Sequence, residues 1–438
     1  MPNIYEFGIV GMGPAGLGAV IGLQQTTSLE SVICFERGNR NSKPNCPALR
    51  KENCCYSQKC DIITGIGGAS TVSSGKMSCY PAGSGLKDFF NSEQELISTF
   101  NDAVTYFSNN VGLKKVAVTD ETISEAEAFY KRKGIEYKYY DVYEFDGEKY
   151  REFVHRTMQG LLNKGLHLID NANVLDIKRD LTTKLFTVKV QRDAIEEVYV
   201  VKNLVLATGA LDIQDKLFSE TIRSKDLSVE VGVRIEVPSE FVKDLISTHG
   251  DLKLKLNQGR TYCVTVDGTI ITYQTGGVHF LEGCMDASGS SEFTNMAVLI
   301  KYDAAVLDSM LMNYRTLHNG VPVVQSYLDY ISGKVSDPAL FVTLNSYTIG
   351  DINSLFPIEL NKAIKGFIES VIIDAMGIPE DRIVLAAPEL KILRQLKLNR
   401  EFELLDGLYV IGAATGKFRG ILQGFISGVR CGEILARR

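Results

Sequence analysis

The feature that most constrains this chain is the segment GIVGMGPAG at residues 8–16, followed by Glu36 in SVICFERG. Gly11 permits a tight turn out of a strand, Gly13 lets the main chain approach a pyrophosphate, and Gly16 lets the next helix pack against the strand. Glu36 lies 20 residues after Gly16, where a carboxylate accepts hydrogen bonds from a ribose. The pattern predicts a strand, glycine turn, helix and second strand that bind a dinucleotide.

The residues after Gly13 support this interpretation. Pro14 suits a first helical turn, because its missing N–H would have no helical partner there. Pro14 and Ala15 then form the helix N-terminus that faces the phosphates. A glycine-rich turn in another kind of α/β protein is the alternative, but the apolar strand, the small-residue helix and the distant acid all favour the dinucleotide site.

Composition limits the class of protein. The 438 residues allow two or three domains, and 45% hydrophobic and 23% charged residues are ordinary for a globular protein. A net charge of −6 argues against a nucleic-acid surface, and the absence of a long apolar run predicts no membrane span. The nine cysteines occur without a signal peptide, so we expect a reducing, cytoplasmic location. The sequence does not define the oligomeric state.

The order of patterns along the chain predicts an interrupted α/β fold. The strand ending in LVLATG at 204–209 and the C-terminal GLYVIG at 407–412 complement the N-terminal unit. We therefore predict a Rossmann-like nucleotide-binding domain of three segments, 1–80, 149–225 and 371–438. Residues 81–148 form a helical segment, and 228–370 form an inserted, strand-rich α+β substrate domain.

Further motifs carry a resemblance to a known family. Cys46-Pro47 and three more cysteines precede GIGGAS at 65–70 and SSGK at 73–76, and GLYVIGAATGKFRGILQGFISGVR spans 407–430. With these motifs the chain resembles a little-characterised family of FAD-dependent dehydrogenases in the flavoprotein superfamily with two dinucleotide-binding domains. VGVRIEVP at 231–238 and NMAVLI at 295–300 also look like that family. The resemblance extends over most of the chain and implies FAD, but it names no substrate.

Together with the glycine fingerprint, this resemblance implies a set of FAD-binding residues. They are Gly11, Gly13, Pro14, Ala15, Gly16, Glu36, Arg37, Gly67, Gly68, Ala69, Ser70, Val174, Thr208, Gly209, Gly412, Lys417, Gly420, Ile421 and Leu422. The segment 416–424 is expected to place a helix N-terminus near the flavin pyrimidine, where Lys417 either contacts the flavin or is a solvated charge. Two positions depart from the family pattern: Gln58 replaces a cysteine, and Ala413 replaces the usual acid after Gly412.

The cysteine cluster permits three interpretations. Cys46, Cys54, Cys55 and Cys60 can ligate zinc or an iron–sulfur cluster, Cys55 and Cys60 can form a redox disulfide, or all four can be unliganded thiols. Adjacent ligands such as Cys54 and Cys55 rarely bind one ion, and the glycine motif of disulfide reductases is missing. We therefore favour unliganded thiols and predict no metal site.

Three residues are candidates for catalysis on the substrate side. His279 follows glycines in the inserted domain, and Cys263 and Arg260 lie in GRTYCVTVDG. For His279 a structural role competes with a catalytic one. Arg260 can bind a substrate carboxylate bidentately or form an ion pair within the protein.

The expected function is that of an FAD-dependent oxidoreductase, a dehydrogenase or an ene/imine reductase with hydride transfer at the flavin to or from a small organic substrate. No second GxGxxG occurs, so NAD(P)H, if it is the reductant, is expected to dock only transiently. A flavin-dependent monooxygenase and a noncatalytic flavin-fold binding protein are the alternatives.

Overall fold

The computed structural model describes residues 3–40, 44–50, 52–55, 59–72, 75–209, 227–275, 277–285, 291–336 and 341–438. Gln58, Ser73, Ser74 and the predicted end of the middle segment at 210–225 lie outside these residues. The α-helices are α1 (Pro14–Leu23), α2 (Glu93–Val111), α3 (Asp120–Arg132), α4 (Gly147–Asn163), α5 (Lys243–Ile246), α6 (Val306–His318), α7 (Tyr327–Ser332), α8 (Ile358–Phe367) and α9 (Ile421–Ala436).

The strands are β1 (Ile4–Val10), β2 (Val32–Phe35), β3 (Lys76–Ser78), β4 (Lys114–Lys115), β5 (Glu136–Tyr137), β6 (Val142–Glu144), β7 (His167–Ile169), β8 (Asn173–Arg179), β9 (Phe186–Arg192), β10 (Ile195–Leu206), β11 (Leu227–Pro238), β12 (Leu254–Leu256), β13 (Gly259–Thr265), β14 (Thr269–Thr275), β15 (Val278–Cys284), β16 (Phe293–Tyr302), β17 (Val323–Ser326), β18 (Thr348–Ile349), β19 (Val384–Arg394), β20 (Glu403–Leu405) and β21 (Leu408–Val410).

The first sheet contains the glycine fingerprint. Its order is β20-β21-β10-β1-β2-β7, with β8 and β9 joined to β10 by antiparallel pairing. The pairs β1–β10, β1–β2, β10–β21 and β2–β7 are parallel. Strands from the beginning, middle and end of the chain thus lie side by side, and the predicted α/β fold class is confirmed.

Close contact between α1 and α9 fixes the position of the fingerprint helix. A Cβ built on Gly18 would lie 2.4 Å from the carbonyl oxygen of Phe425, and one on Gly428 would lie 2.0 Å from that of Ala15. Real Cβ atoms do not approach backbone oxygens so closely, so only glycine lets the two helices touch at these points. Packing against α9 therefore fixes the position of α1 and of the glycine turn before it.

The second sheet is largely antiparallel and has the order β18-β17-β19-β11-β16-β13-β12-β5. Alternate residues of β11 from Val229 to Val237 are fully buried in its core. Strand β19 pairs with β11, so the second sheet extends beyond the limit at residue 370 that we predicted for the inserted segment. Segment 81–148 likewise contributes strand β5 to this sheet, in addition to its helices.

A two-stranded hairpin, β14–β15, lies beside the second sheet and packs against the cysteine-containing loop. Ile271 on the hairpin is buried together with Cys46 and Ile62 from that loop. The loop thereby connects the end of the first sheet with the second. In the part of the chain that the structure describes, no helix combines the length and apolar character needed to cross a bilayer.

Candidate functional site

The turn after β1 has the geometry that the fingerprint predicts. Gly11 has φ +94°, and a Cβ on it would lie 2.5 Å from the carbonyl oxygen of Ala207. A Cβ on Gly16 would lie 2.0 Å from the carbonyl oxygen of Gly11. Both positions therefore require glycine for the turn itself and for its packing on β10.

Gly13 differs from its two neighbours in the motif. Its φ is −70°, which any residue can adopt, and the nearest atom to a Cβ built there is the oxygen of Gly67 at 4.0 Å. Among the residues that the structure describes, no contact explains a glycine at this position. A ligand can approach the main chain of Gly13 closely, because none of the described side chains fills the space in front of it.

Helix α1 begins at this open space without a side-chain cap. Gly13 is its N-cap, Pro14 occupies the first turn, and that turn contains no acidic residue. The first N–H groups of a helix have no intrahelical partners and carry partial positive charge. This end of α1 therefore presents donors to an anionic group in front of Gly13.

The segment with Gly67 and Gly68 forms the opposite wall. The Gly67 N–H donates to the oxygen of Met12 at 2.8 Å, and a Cβ on Gly68 would lie 3.4 Å from Gly13 Cα. Ser70 is buried, with its Oγ 2.6 Å from the oxygen of Gly67 and 2.9 Å from the Tyr150 hydroxyl. The structure thus brings this predicted segment against the fingerprint turn, although Ala69 itself is exposed.

Glu36 makes contacts that the sequence did not indicate. Its side chain is buried, and Oε1 accepts hydrogen bonds from the N–H groups of Gly38 (2.7 Å) and Gly65 (2.8 Å). Oε2 accepts from the N–H of Met12 at 2.8 Å. A carboxylate has about four acceptor sites, so one site on Oε2 is left for a ribose hydroxyl. Through these three hydrogen bonds the carboxylate holds together the glycine turn, the end of β2 and the loop before Gly67.

Thr208 and Gly209 follow the carboxyl end of β10, and Thr208 lies beside the glycine turn at Gly11. The Cα of Thr208 is 3.3 Å from the position of a Gly11 Cβ, and nothing lies within 4 Å of a Cβ on Gly209. The Thr208 hydroxyl is buried without a hydrogen-bond partner among the described residues. Such a group normally has a partner, and a bound polar ligand in front of Gly13 would supply it.

The C-terminal residues fall into two groups. Gly412 has φ +65° and its N–H donates to Ser427 Oγ at 3.0 Å, beside α1. Lys417 instead forms an ion pair with Asp88 at 2.7 Å, so its charge already has a partner within the protein. Gln423, which sequence reasoning missed, donates to the oxygens of Ser78 and Ala82 and leaves its own Oε1 unpartnered.

The remaining predicted cofactor residues are less informative. Ile421 and Leu422 are buried in the core shared by α1 and α9. Arg37 is exposed after β2, and Val174 is partly buried on β8 beside the core on the other face of the first sheet.

The second sheet carries a buried cluster of charges that sequence reasoning missed. Arg234 is fully buried and pairs with Glu389 at 3.1 Å, and Lys391 lies 3.0 Å from Glu389 and 3.2 Å from Glu282. Burial lowers the pKa of Lys391, but the two carboxylates outweigh burial and raise that pKa well above its usual value. The cluster joins β11, β15 and β19, and only the fold shows that these strands meet.

Two tyrosines and Cys263 line this cluster. The Lys391 ammonium lies 5.3 Å from the ring centre of Tyr262 and 6.0 Å from that of Tyr273. Burial raises the pKa of Tyr262 to about 12 and raises that of Tyr273, although Lys391 acts in the opposite direction. Both phenols therefore carry their protons at neutral pH and can donate hydrogen bonds.

Cys263 lies at an irregular position of β13. Its φ is +50°, and the register with β16 shifts between Tyr262 and Thr265. A non-glycine residue in this conformation at a bulge is a recurrent feature of functional sites. Burial, and to a smaller extent Glu282, raise the pKa of Cys263 to about 12, while Arg234 acts in the opposite direction. The thiol is therefore protonated, and it hydrogen-bonds the Glu282 carboxylate.

The segment before α9 reaches this cluster. Arg419 donates to the oxygen of Ile392 on β19 at 2.7 Å, and its charge lowers the pKa values of Tyr262 and Tyr273 against the larger effect of burial. The tyrosines and the charge cluster therefore face the C-terminal glycine segment. The Arg419–Ile392 contact lies where the C-terminal segment meets the second sheet, and junctions between structural units are a common location for ligand sites.

The other two catalytic candidates have partners within the protein. Arg260 forms a two-point ion pair with Glu230, through Nε to Oε1 at 2.7 Å and Nη2 to Oε2. Nε and Nη2 of Arg260 are therefore used in an ion pair within the protein, the alternative to a substrate carboxylate. His279 is buried, with Nδ1 3.1 Å from the oxygen of Gly320 and Nε2 3.5 Å from Cys54 Sγ. No group of ligands suited to a metal ion occurs among the described residues.

No known family model matches the chain, and no curated protein does. Solved structures similar to it include a flavoprotein/dehydrogenase from Cytophaga hutchinsonii (10% identity, 99% of this chain, 78% of that chain, TM-score 0.40). A second is NikD, an amino acid oxidase of nikkomycin biosynthesis (12% identity, 99% of this chain, 94% of that chain, TM-score 0.42). A third is the glycerol-3-phosphate dehydrogenase from Bacillus halodurans complexed with FAD (11% identity, 99% of this chain, 65% of that chain, TM-score 0.40). Likeness at these TM-scores carries no argument about the activity of this chain.

Proposed function

We propose that this chain binds FAD and is an oxidoreductase that acts on a small organic substrate. The observation that carries the proposal is the open space in front of Gly13. It is bounded by the uncapped start of α1 and by Gly68, and Thr208, whose buried hydroxyl has no partner among the described residues, lies beside the same turn. Only a ligand with a polar, anionic centre makes use of all these features.

The residues present fit the dinucleotide half of FAD. The free N–H groups of α1 would bind the pyrophosphate, and the Thr208 hydroxyl would hydrogen-bond the cofactor. Glu36 would hold the glycine turn through Met12 and use its remaining acceptor site for the adenosine ribose. Bound FAD would supply the capacity to accept or release a hydride.

We place the substrate between the segment 416–420 and the tyrosine-lined cluster of the second sheet. Tyr262 and Tyr273 are protonated donors, and Glu282 is a partly exposed acceptor held by Lys391. These groups can orient a polar substrate and hold a proton beside its reacting atom. They favour a dehydrogenation or an ene/imine reduction. A nicotinamide reductant would dock only transiently, since the sequence has no second fingerprint.

In this proposal the first sheet with α1 and α9 forms the cofactor domain, and the second sheet with the β14–β15 hairpin forms the substrate domain. The division follows the two sheets rather than the predicted residue limits, because β19 pairs in the second sheet.

The proposal is tested first on the purified protein. We expect a yellow protein whose acid-released cofactor is FAD and not FMN. A colourless protein that also fails to bind added FAD would refute it. A screen of small organic substrates under nitrogen, followed by flavin absorbance, then tests for turnover. Bound FAD without reduction by substrate or reductant would favour a noncatalytic binding protein, and oxygen incorporation would favour a monooxygenase.

Gly13→Val tests the location of the site. The protein has room for the side chain and the backbone dihedral is ordinary, so we expect an unchanged fold and a loss of FAD binding. Gly366→Val is the matched control. A Cβ on Gly366 would have no described atom within 4 Å, but this residue lies on α8, away from the first sheet. Equal FAD affinity in the two variants would place the nucleotide elsewhere.

A further inference from the structure

Cys54 and His279 meet where the cysteine-containing loop packs on the β14–β15 hairpin. The Sγ of Cys54 lies 3.5 Å from Nε2 of His279, a distance typical of a hydrogen bond to sulfur. The backbone N–H of Cys54 donates to Ser346 Oγ at 3.1 Å, so the main chain at the thiol is anchored from the other side. The sequence separates these residues by 225 positions, and the motif analysis did not pair them.

The second ring nitrogen defines the protonation of the imidazole. Nδ1 of His279 lies 3.1 Å from the carbonyl oxygen of Gly320, and a carbonyl oxygen can only accept. Nδ1 therefore carries the proton in the neutral ring, and the lone pair of Nε2 points towards the Cys54 thiol. Burial lowers the pKa of His279, with a smaller opposing effect of the Gly320 contact, so the ring is neutral near pH 7 and can accept a proton.

Two further thiols and a tyrosine lie close to the Cys54–His279 pair. Cys46 and Cys60 lie near enough to Cys54 to interact electrostatically, and burial raises the pKa of each of them. Tyr314 donates to the backbone oxygen of His279 at 2.6 Å. The backbone carbonyl of Gly320, 3.1 Å from Nδ1, orients the imidazole ring. Cys54 is partly exposed, which leaves its sulfur accessible to a small reagent.

We propose that Cys54 and His279 form a nucleophilic thiol–imidazole pair that undergoes exchange with low-molecular-weight disulfides. His279 Nε2 takes the thiol proton, and the Cys54 thiolate attacks one sulfur of the disulfide. An S–S bond forms between Cys54 and that sulfur, the original S–S bond breaks, and the departing thiolate takes the proton from the imidazolium. Cys54 is oxidised and the departing half of the reagent is reduced. This site is separate from the proposed FAD function and does not depend on it.

Cys55 provides an internal control, because it is adjacent in sequence and more exposed. The purified protein is treated with oxidised glutathione across pH 6 to 9, and adducts at each cysteine are quantified by peptide mass spectrometry. At pH 7 we expect Cys54 to react at least about tenfold faster than Cys55, because His279 Nε2 lies 3.5 Å from its sulfur and can take the thiol proton as the disulfide is attacked. Slower or equal reaction at Cys54 would overturn the proposal.

His279→Gln removes the base while it keeps a polar side chain of similar size. We expect the Cys54 rate at pH 7 to fall about tenfold and the Cys55 rate to stay unchanged. An unchanged Cys54 rate would overturn the pair. If the variant does not fold, the wild-type rates decide: Cys54 must react faster than Cys55 with oxidised glutathione at pH 7, and equal rates would refute the proposal.

Discussion

Removal of the Glu36 carboxylate is expected to destabilise the protein before it affects any ligand. The carboxylate accepts three hydrogen bonds from backbone N–H groups, those of Met12, Gly38 and Gly65. Hydrogen bonds to a charged group are each worth about 1.5–3 kcal/mol. Because some water can enter the space, we expect Glu36→Ala to lower the free energy of unfolding by about 3–5 kcal/mol. That is a large part of the stability of a typical domain.

Glu36→Gln separates the contributions of the two oxygens. The amide oxygen can still accept from Gly38 and Gly65, but the amide nitrogen would face the Met12 N–H, so that two donors oppose each other. We therefore expect an intermediate loss of about 1–3 kcal/mol, the cost of one unsatisfied buried donor. Both variants are compared with the wild type by urea unfolding, monitored by far-ultraviolet circular dichroism after removal of FAD.

The result that refutes this reasoning is specific. If Glu36→Ala without cofactor unfolds at the same urea concentration as the wild type, and only FAD affinity falls, the carboxylate faces the ribose and not the backbone. A control at the neighbouring Arg37, which is exposed, should leave the unfolding midpoint within about 0.5 kcal/mol of the wild type.

Three further predictions concern other parts of the molecule. Gly428→Ala should lower the free energy of unfolding by about 1–3 kcal/mol in thermal unfolding, because its Cβ would meet a backbone oxygen at 2.0 Å. The control Gly366→Ala, on an exposed helix surface, should raise the free energy of unfolding by up to about 1 kcal/mol. Equal effects of the two substitutions would contradict the contact between α1 and α9. Burial raises the pKa of Glu236 to about 7. Above about pH 4.5 the folded state therefore keeps a proton that the unfolded chain releases. As a result, the free energy of unfolding should fall by up to about 3 kcal/mol between pH 4.5 and pH 7. Glu236→Gln should remove that slope, and an unchanged slope would assign it to another group. Cys55→Ser and Cys60→Ser should retain reduction of bound flavin by substrate; loss of reduction with FAD still bound would favour a redox disulfide.

The amino-acid sequence by itself determined the local unit at the start of the chain. Gly11 is required by its positive φ and Gly16 by its contact with the oxygen of Gly11, both within one strand–turn–helix segment, so residue spacing is enough to predict them. The three-part assembly of the first sheet was also predictable, because each part ends in a recognisable apolar strand and small-residue turn. The prediction that Gly13 faces a ligand depends on the same local spacing.

The tertiary structure decided which side chains already have partners. Glu36 is held by the Gly65 N–H from another loop, Lys417 is paired with Asp88, and Arg260 is paired with Glu230. The cluster around Lys391 collects charges from three strands of the second sheet. Spacing along the chain carries no information about such contacts, because hydrogen bonds and ion pairs act over a few ångströms and depend on which distant segments the fold brings together.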